Sequence, residues 1–347
     1  MTQHLTSTFP IDGELINHAR ALECGPDFFR IEVRGKTLPG RTVRVNGVPA
    51  HSEEDASFRA EAELRGRFPE LLLEDGTETL RIRPVCDYDR EKRYNFFIDD
   101  NSFFLTEIVR KHHRSIFDSF YLDFLRRMHL RYGMKVTLNT FFRNDHEPFL
   151  LTEMPDFYRS EWEDNSSWLR LAPHAYSEFP GNPYCEAFPE KLPEHFRAVT
   201  EQIRRFAGEK TVVAPVIMHF YRVTNEESMR FLREEGMKVF TVHERFWKQL
   251  RETYGREFFG VYDFRHDQLQ IPVEFFCNLL STEQILRHLE SCYAIPGKDF
   301  INFGSHEQYS YPFYSNYIPE HFERIEAALK SLSEHGYEAD YFNLREP

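Results

Sequence analysis

Tyr94-Asn95-Phe96-Phe97-Ile98-Asp99-Asp100 is the stretch at which the chain changes character. It reads as a short apolar strand that runs into two carboxylates, and from there strand-like and helix-like patterns alternate to the C-terminus. A helix is expected over 115–132, where Ile116, Phe120, Phe124, Leu125 and Met128 recur mostly at spacings of three and four. Strands follow at 134–142 and 168–176, with a helix near 155–164 between them. Next come a helix over 194–206, a strand over 211–220, a helix over 225–236 and a strand over 237–242. A helix over 282–292, a strand over 298–306, a helix over 319–336 and a terminal strand complete the series. Alternating β and α implies parallel strands covered by helices. Seven or so units predict an α/β fold, a (β/α) barrel that is seven-stranded or distorted and spans 93–347. Residues 258–276 break the rhythm and read as an inserted β-hairpin.

Upstream of this stretch the pattern is β alone. Short, mostly alternating runs rich in Val, Phe, Leu and Ile are separated by turn residues, and Asn46-Gly47 between Val45 and Val48 suits a two-residue hairpin turn. A β-sandwich over 1–92 is expected, and the strings 42–50 and 56–64 are similar to the Ig-like modules attached to carbohydrate-active enzymes.

A chain of 347 residues suits two domains, and 41% hydrophobic with 29% charged residues is the make-up of a globular protein. The net charge is −13, and no window is densely basic, which argues against nucleic acid or an anionic membrane as partner. Cys24, Cys86, Cys185, Cys277 and Cys292 are scattered and in no CxxC spacing, so they read as reduced thiols. The first fifteen residues lack the pattern of a signal peptide, and no apolar run approaches the roughly 20 residues of a membrane span, so a cytoplasmic location is expected.

Functional residues of parallel α/β folds cluster just past the C-terminal ends of strands. Asp99 and Asp100 occupy one such end, His174 and Glu178 another, His219 and Arg222 a third, and His306 and Glu307 a fourth. Adjacent carboxylates repel unless one binds a cation or keeps a proton. One Asp as metal ligand and one as general base satisfies that condition. His174 would add an imidazole and Glu178 an oxygen ligand, leaving positions for water and substrate. Each residue also has a plainer reading. The Asp pair could cap a helix, His174 could bond within a loop, Glu178 could face solvent, and His306 could pack among the aromatics that follow it.

From about Tyr94 to Phe342 the chain resembles the polysaccharide deacetylases of the NodB-homology type, carbohydrate esterase family four. Phe97-Ile98-Asp99-Asp100-Asn101 stands where that family has Thr-Phe-Asp-Asp-Gly, and Val136 to Phe142 stands where its next strand reads Ala-Thr-Phe-Phe. His174-Ala175-Tyr176-Ser177-Glu178 keeps the spacing of the family's His-Ser/Thr-x-x-His, with Glu178 in the place of the second His. Arg222 stands near the family's base-orienting Arg, and Phe300 to His306 matches a strand ending in the His that acts as acid. The resemblance implies Asp99 as base, His306 as acid, Arg222 as orienting group, and Asp100, His174 and Glu178 as ligands of a divalent metal. Zn is implied first; two carboxylates and one imidazole would also admit Mn, Fe or Co.

The function so implied is a metal-dependent hydrolase that removes acetyl groups from a carbohydrate. Glu178 in the place of a ligand His leaves room for a catalytically silent carbohydrate-binding or scaffold protein on the same fold. A metal-free glycoside hydrolase using Asp99 or Asp100 with Glu178 or Glu307 ranks lower, because it has no use for His174 and His306.

Overall fold

A computed structural model describes residues 4–223 and 225–341. The last residues of the predicted second domain, 342–347, lie outside the described residues. By their contacts the described residues divide into two compact units, one of residues 4–91 and 244–271 and one of 92–243 and 272–341.

In the first unit, β1 (Thr6–Phe9), β2 (Phe28–Lys36) and β4 (Ser57–Arg65) lie side by side and antiparallel. A second sheet joins β3 (Arg44–Val45), β5 (Leu71–Glu74) and β6 (Thr79–Ile82), also antiparallel. Alternate side chains from both sheets, among them Phe29, Ile31, Val33, Val45, Phe58, Leu64, Leu71 and Leu73, form one buried cluster. That is the outcome alternation dictates. Asn46 and Gly47 both take positive φ, as the expected tight turn demands.

Residues 244–271, which the sequence pattern places with the second domain, belong to the first unit. The hairpin of Val261–Asp263 and Gln268–Ile271 forms, and Tyr262 N donates to Gly13 O at 2.7 Å. Gly13 has φ 78°, and a Cβ there would run into the Tyr262 carbonyl. Arg256 pairs with buried Glu14 and donates to Thr8 O at 3.1 Å. A buried carboxylate needs such a partner, and here it lies 242 residues away.

The second unit is built on four parallel strands in the order β9 (Leu169–Ala175), β8 (Val136–Phe141), β7 (Arg93–Asn101), β10 (Phe300–His306). Short Glu338–Ala339 also pairs parallel with the start of β7. All residues of β7 and β8 are buried. Helices α1 (Phe103–Lys111), α2 (Phe120–Tyr132), α3 (Leu192–Ala207), α4 (Thr282–Tyr293) and α5 (His321–Glu334) contribute their apolar faces to the core.

The expected seven-stranded or distorted barrel is not closed by a hydrogen-bonded ladder among the described residues. Beyond β9 the ladder continues only as a single bridge from Leu171 to Val212, and beyond β10 as one from Phe276 to Gly304. The stretch 211–220, expected as a strand, carries Pro215, which has no N–H to donate. It ends in a tight turn in which Phe220 and Tyr221 take positive φ.

Candidate metal centre

Two irregularities in the parallel ladder build the site. Ile98 of β7 pairs with Leu138, and the next pair is Asn101 with Thr140, so Asp99 and Asp100 together face Asn139. Thr140 pairs with Pro173 and Phe141 with Ala175, which leaves His174 as the extra residue on β9. In a regular strand adjacent side chains point to opposite faces; a bulge re-aims them, and bulges recur beside functional sites. Asp100 has φ 64°, a left-handed value that Asp tolerates better than most residues. Asn101 closes the bulge, with its buried amide donating to Ile98 O at 2.6 Å and to Asn139 O at 3.0 Å.

The bulges and the turn at His219 bring three ligand atoms together. Asp100 Oδ1 lies 3.3 Å from His174 Nε2 and 3.3 Å from His219 Nδ1, and the two nitrogens are 3.2 Å apart. Ligand atoms at tetrahedral angles, each about 2.0–2.1 Å from a zinc-like ion, are separated by about 3.3–3.4 Å. The triangle therefore fits a small divalent cation. All three side chains are buried, and Asp100 Oδ1 has no hydrogen-bond partner among the described residues, as expected of an atom shaped for an ion. His219 Nε2 donates to Glu178 O at 3.1 Å, a contact that fixes the ring with Nδ1 toward the other two ligand atoms.

Glu178 was expected as the third ligand, and its side chain goes elsewhere. The carboxylate contacts His146 Nε2 and accepts from Gln308 at 3.4 Å. His219, from a turn 45 residues beyond His174, completes the group instead. The donor set thus has two imidazoles and one carboxylate, one negative charge fewer than the expected set. Arg222, expected to orient Asp99, is half exposed and pairs with Glu186 at 3.2 Å. Asn139 holds Asp99 instead, donating to its Oδ1 at 2.7 Å.

Asp99 and His306 are register partners on adjacent strands. Burial, aided by the neighbouring Asp100 charge, raises the Asp99 carboxyl well above the usual carboxylate range. Burial pushes Asp100 upward too, but the close approach of His174 and His219, with His306 beyond them, outweighs it and holds Asp100 well below that range. The two environments push the proton affinities of the pair apart, that of Asp99 up and that of Asp100 down. His306 donates from Nδ1 to Asn278 Oδ1 at 3.0 Å, and its Nε2 lies 3.9 Å from Asp100 Oδ2. Burial lowers its pKa.

Glu307, an alternative carboxylate in the sequence, is fully buried and accepts from Ser102 N at 2.6 Å, Phe103 N at 2.9 Å and Phe104 N at 2.5 Å. It caps α1, whose own N-cap residue Ser102 makes no side-chain cap. Glu178 and Glu307, either of which would be the second carboxylate of the glycosidase alternative, thus contact His146 and cap α1 respectively. Asn139, Asn278 and His146 are contributors that the sequence pattern did not single out. The only signal that could have found them is spatial, since none stands in a spacing motif.

Burial also holds His174 down to about 4 and His321, which bonds the Ser305 and Ser310 hydroxyls at 2.6 and 2.7 Å, down to about 3. In the unfolded chain both would take a proton near 6.5. Their contribution to stability is therefore complete above about pH 6.5 and lost as pH falls toward 4 and below. Each histidine should take about 3 kcal/mol from the unfolding free energy of metal-free protein between pH 6.5 and 4. The raised Asp99 and Glu307 carboxyls act with the opposite sign, so the His321 part is read by urea denaturation as the difference from His321→Gln. An equal pH dependence in both proteins would show that His321 is not buried neutral.

No family profile matches the chain, and no curated protein matches it in sequence. Among solved structures it is similar to a family 4 acetyl xylan esterase from Clostridium thermocellum in complex with a cobalt ion. Identity is 11%, covering 72% of this chain and 87% of that one, with a TM-score of 0.40. It is also similar to a peptidoglycan N-acetylglucosamine deacetylase in complex with 4-naphthalen-1-yl-N-oxidanyl-benzamide. Identity is again 11%, with 72% and 86% covered and a TM-score of 0.39. A likeness at that level carries no argument about this chain, whose chemistry rests on its own residues.

Proposed function

We propose that the chain is a metal-dependent hydrolase that removes N- or O-linked acetyl groups from a carbohydrate. The observation that carries this reading is the triangle of Asp100 Oδ1, His174 Nε2 and His219 Nδ1, with edges of 3.2 to 3.3 Å, beside the Asp99 carboxyl. A divalent ion held there, Zn or by the same donor types Mn, Fe or Co, supplies Lewis acidity toward a water and an acyl carbonyl. Asp99 Oδ1 is occupied by Asn139, so Oδ2 is the atom that takes a proton from the attacking water. Its raised pKa makes the ionised carboxylate a stronger base than an ordinary aspartate. His306, with Nδ1–H committed to Asn278, presents Nε2 to protonate the leaving oxygen or nitrogen.

The carbohydrate part of the reading rests on the motif resemblance and on exposed aromatic rings beside the site. Phe220 lies 4.4 Å from the His219 ring, Phe179 lies 6.1 Å from the His146 ring, and both rings are exposed. Flat aromatic faces of this kind suit the apolar face of a sugar ring. The same reading takes the second unit as a distorted (β/α) barrel of deacetylase type, and the first as an Ig-like accessory sandwich. It also takes the setting as cytoplasmic, which suits five cysteines that form no disulfide. No helix among the described residues is long and apolar enough to cross a membrane.

The reading is tested by acetate release from acetylated oligosaccharides by metal-loaded protein. Asp99→Asn should lower release by about 10²–10⁴-fold, the usual contribution of a general base, with metal content unchanged. Release at the original rate would remove Asp99 from the chemistry. A fully loaded protein that releases no acetate from any acetylated glycan, yet still binds glycan, would favour a silent binding protein instead.

A further inference from the structure

Outside that site, on the other side of β10, a second convergence of ligand types occurs. His288 and Cys292 are four residues apart on α4, so both side chains lie on one face of the helix. Glu274 comes from the segment that runs along the free edge of β10, where its N–H donates to Asn302 O at 2.8 Å. Glu274 Oε2 lies 3.6 Å from His288 Nε2 and 3.8 Å from Cys292 Sγ, and the three ligand atoms all fall within 4.8 Å of one another. For a tetrahedral ion with Zn–S of about 2.3 Å and Zn–N or Zn–O of about 2.0–2.1 Å, sulfur-to-nitrogen or sulfur-to-oxygen edges come to about 3.6 Å.

Two further observations point to a ligand. His288 Nε2 is a buried atom with no hydrogen-bond partner among the described residues, although the rest of its ring is partly exposed. The other Glu274 oxygen, Oε1, is held by Lys298 Nζ, which orients the carboxylate so that Oε2 faces the histidine and the thiol. A ligating carboxylate normally has such an outer partner.

We propose that Glu274, His288 and Cys292 form a second divalent-metal site of the zinc class, with water from the exposed side of His288 as fourth ligand. Carboxylate, imidazole and thiolate together are a borderline-soft donor set, which favours Zn or Co over Mg or Ca. Binding releases the Cys292 thiol proton to solvent, and the ion ties α4 to the segment bordering β10. This site is independent of the deacetylase reading, because it shares no residue with the Asp100, His174, His219 group.

The test uses the full chain, stripped of metal and reloaded with Co(II). Two equivalents should bind, and a thiolate-to-Co(II) charge-transfer band should appear in the near ultraviolet. Of the two sites only the second can supply that band, because the first has no sulfur. Cys292→Ser and, separately, His288→Ala should each reduce binding to one equivalent. Cys292→Ser should also abolish the band. Asp100→Asn should keep the band while its own equivalent is lost. Binding of a single equivalent with no band, abolished by Asp100→Asn, would overturn the proposal and leave Glu274, Lys298 and His288 as an ion-pair cluster only. Should Cys292→Ser fail to fold, His288→Ala carries the same decision: two equivalents retained in that variant would overturn the proposal.

Discussion

His219→Ala is expected to abolish stoichiometric metal binding at the centre formed with Asp100 and His174, while Glu178→Gln leaves it within a few-fold of the original affinity. The contrast follows from which atoms of each residue meet the site. His219 contributes Nδ1 to the ligand triangle, 3.3 Å from Asp100 Oδ1. Its loss removes one of three protein ligands, which should weaken affinity by well over the 10–100-fold typical of losing an outer partner. Glu178 contributes only its backbone carbonyl, which accepts from His219 Nε2 and is present in any variant. Its carboxylate is on His146. Isothermal titration with Zn on both variants checks this, and acetate release should follow occupancy. If Glu178→Gln instead loses the metal and His219→Ala keeps it, the ligand assignment is reversed.

Glu307→Ala should cost about 3 kcal/mol or more of folding stability, because three buried N–H donors lose their acceptor together. The residue next to His306 gathers the N–H groups of Ser102, Phe103 and Phe104, which follow directly on the Asp99-Asp100-Asn101 bulge. One carboxylate therefore joins the end of β10, which carries His306, to the turn that carries both aspartates. Burial alone would favour the neutral acid and raises the carboxyl to about 8, while the backbone donors pull the other way. Glu307→Gln keeps an acceptor but turns an NH₂ group toward one of those donors, so its loss should be intermediate. Urea denaturation of the three proteins at pH 7 measures the order. A Glu307→Ala variant within about 1 kcal/mol of the original would show that α1 finds another cap.

Much of the fold is legible in local pattern. The β-only character of residues up to about 90, the change at Tyr94, and the helices over 192–207, 282–293 and 321–334 all follow from spacing, because apolar side chains must share a face to be buried. The hairpin within 258–276 is legible for the same reason. Helix α1 was not read from the sequence, because its N-terminus is capped from 203 to 205 residues away and Ser102 itself caps nothing. The expected strand over 211–220 shows the converse failure. Its β-branched residues suit a strand, but Pro215 cannot donate to a ladder and the chain ends in a turn.

For the site, sequence by itself determined that Asp99, Asp100, His174 and His306 stand at or just beyond strand ends, where a parallel fold collects its chemistry, and it marked His219 at the end of a strand that does not form. Tertiary structure decided which of them meet. A motif at i and i+4 suggested Glu178 as partner of His174, but two bulges and a left-handed turn redirect the side chains, and His219 arrives from a separate segment. Register shifts of one residue leave no trace in composition or periodicity, yet each sends a side chain to the opposite face. That is why the Asp pair could be located from the sequence while the third ligand could not.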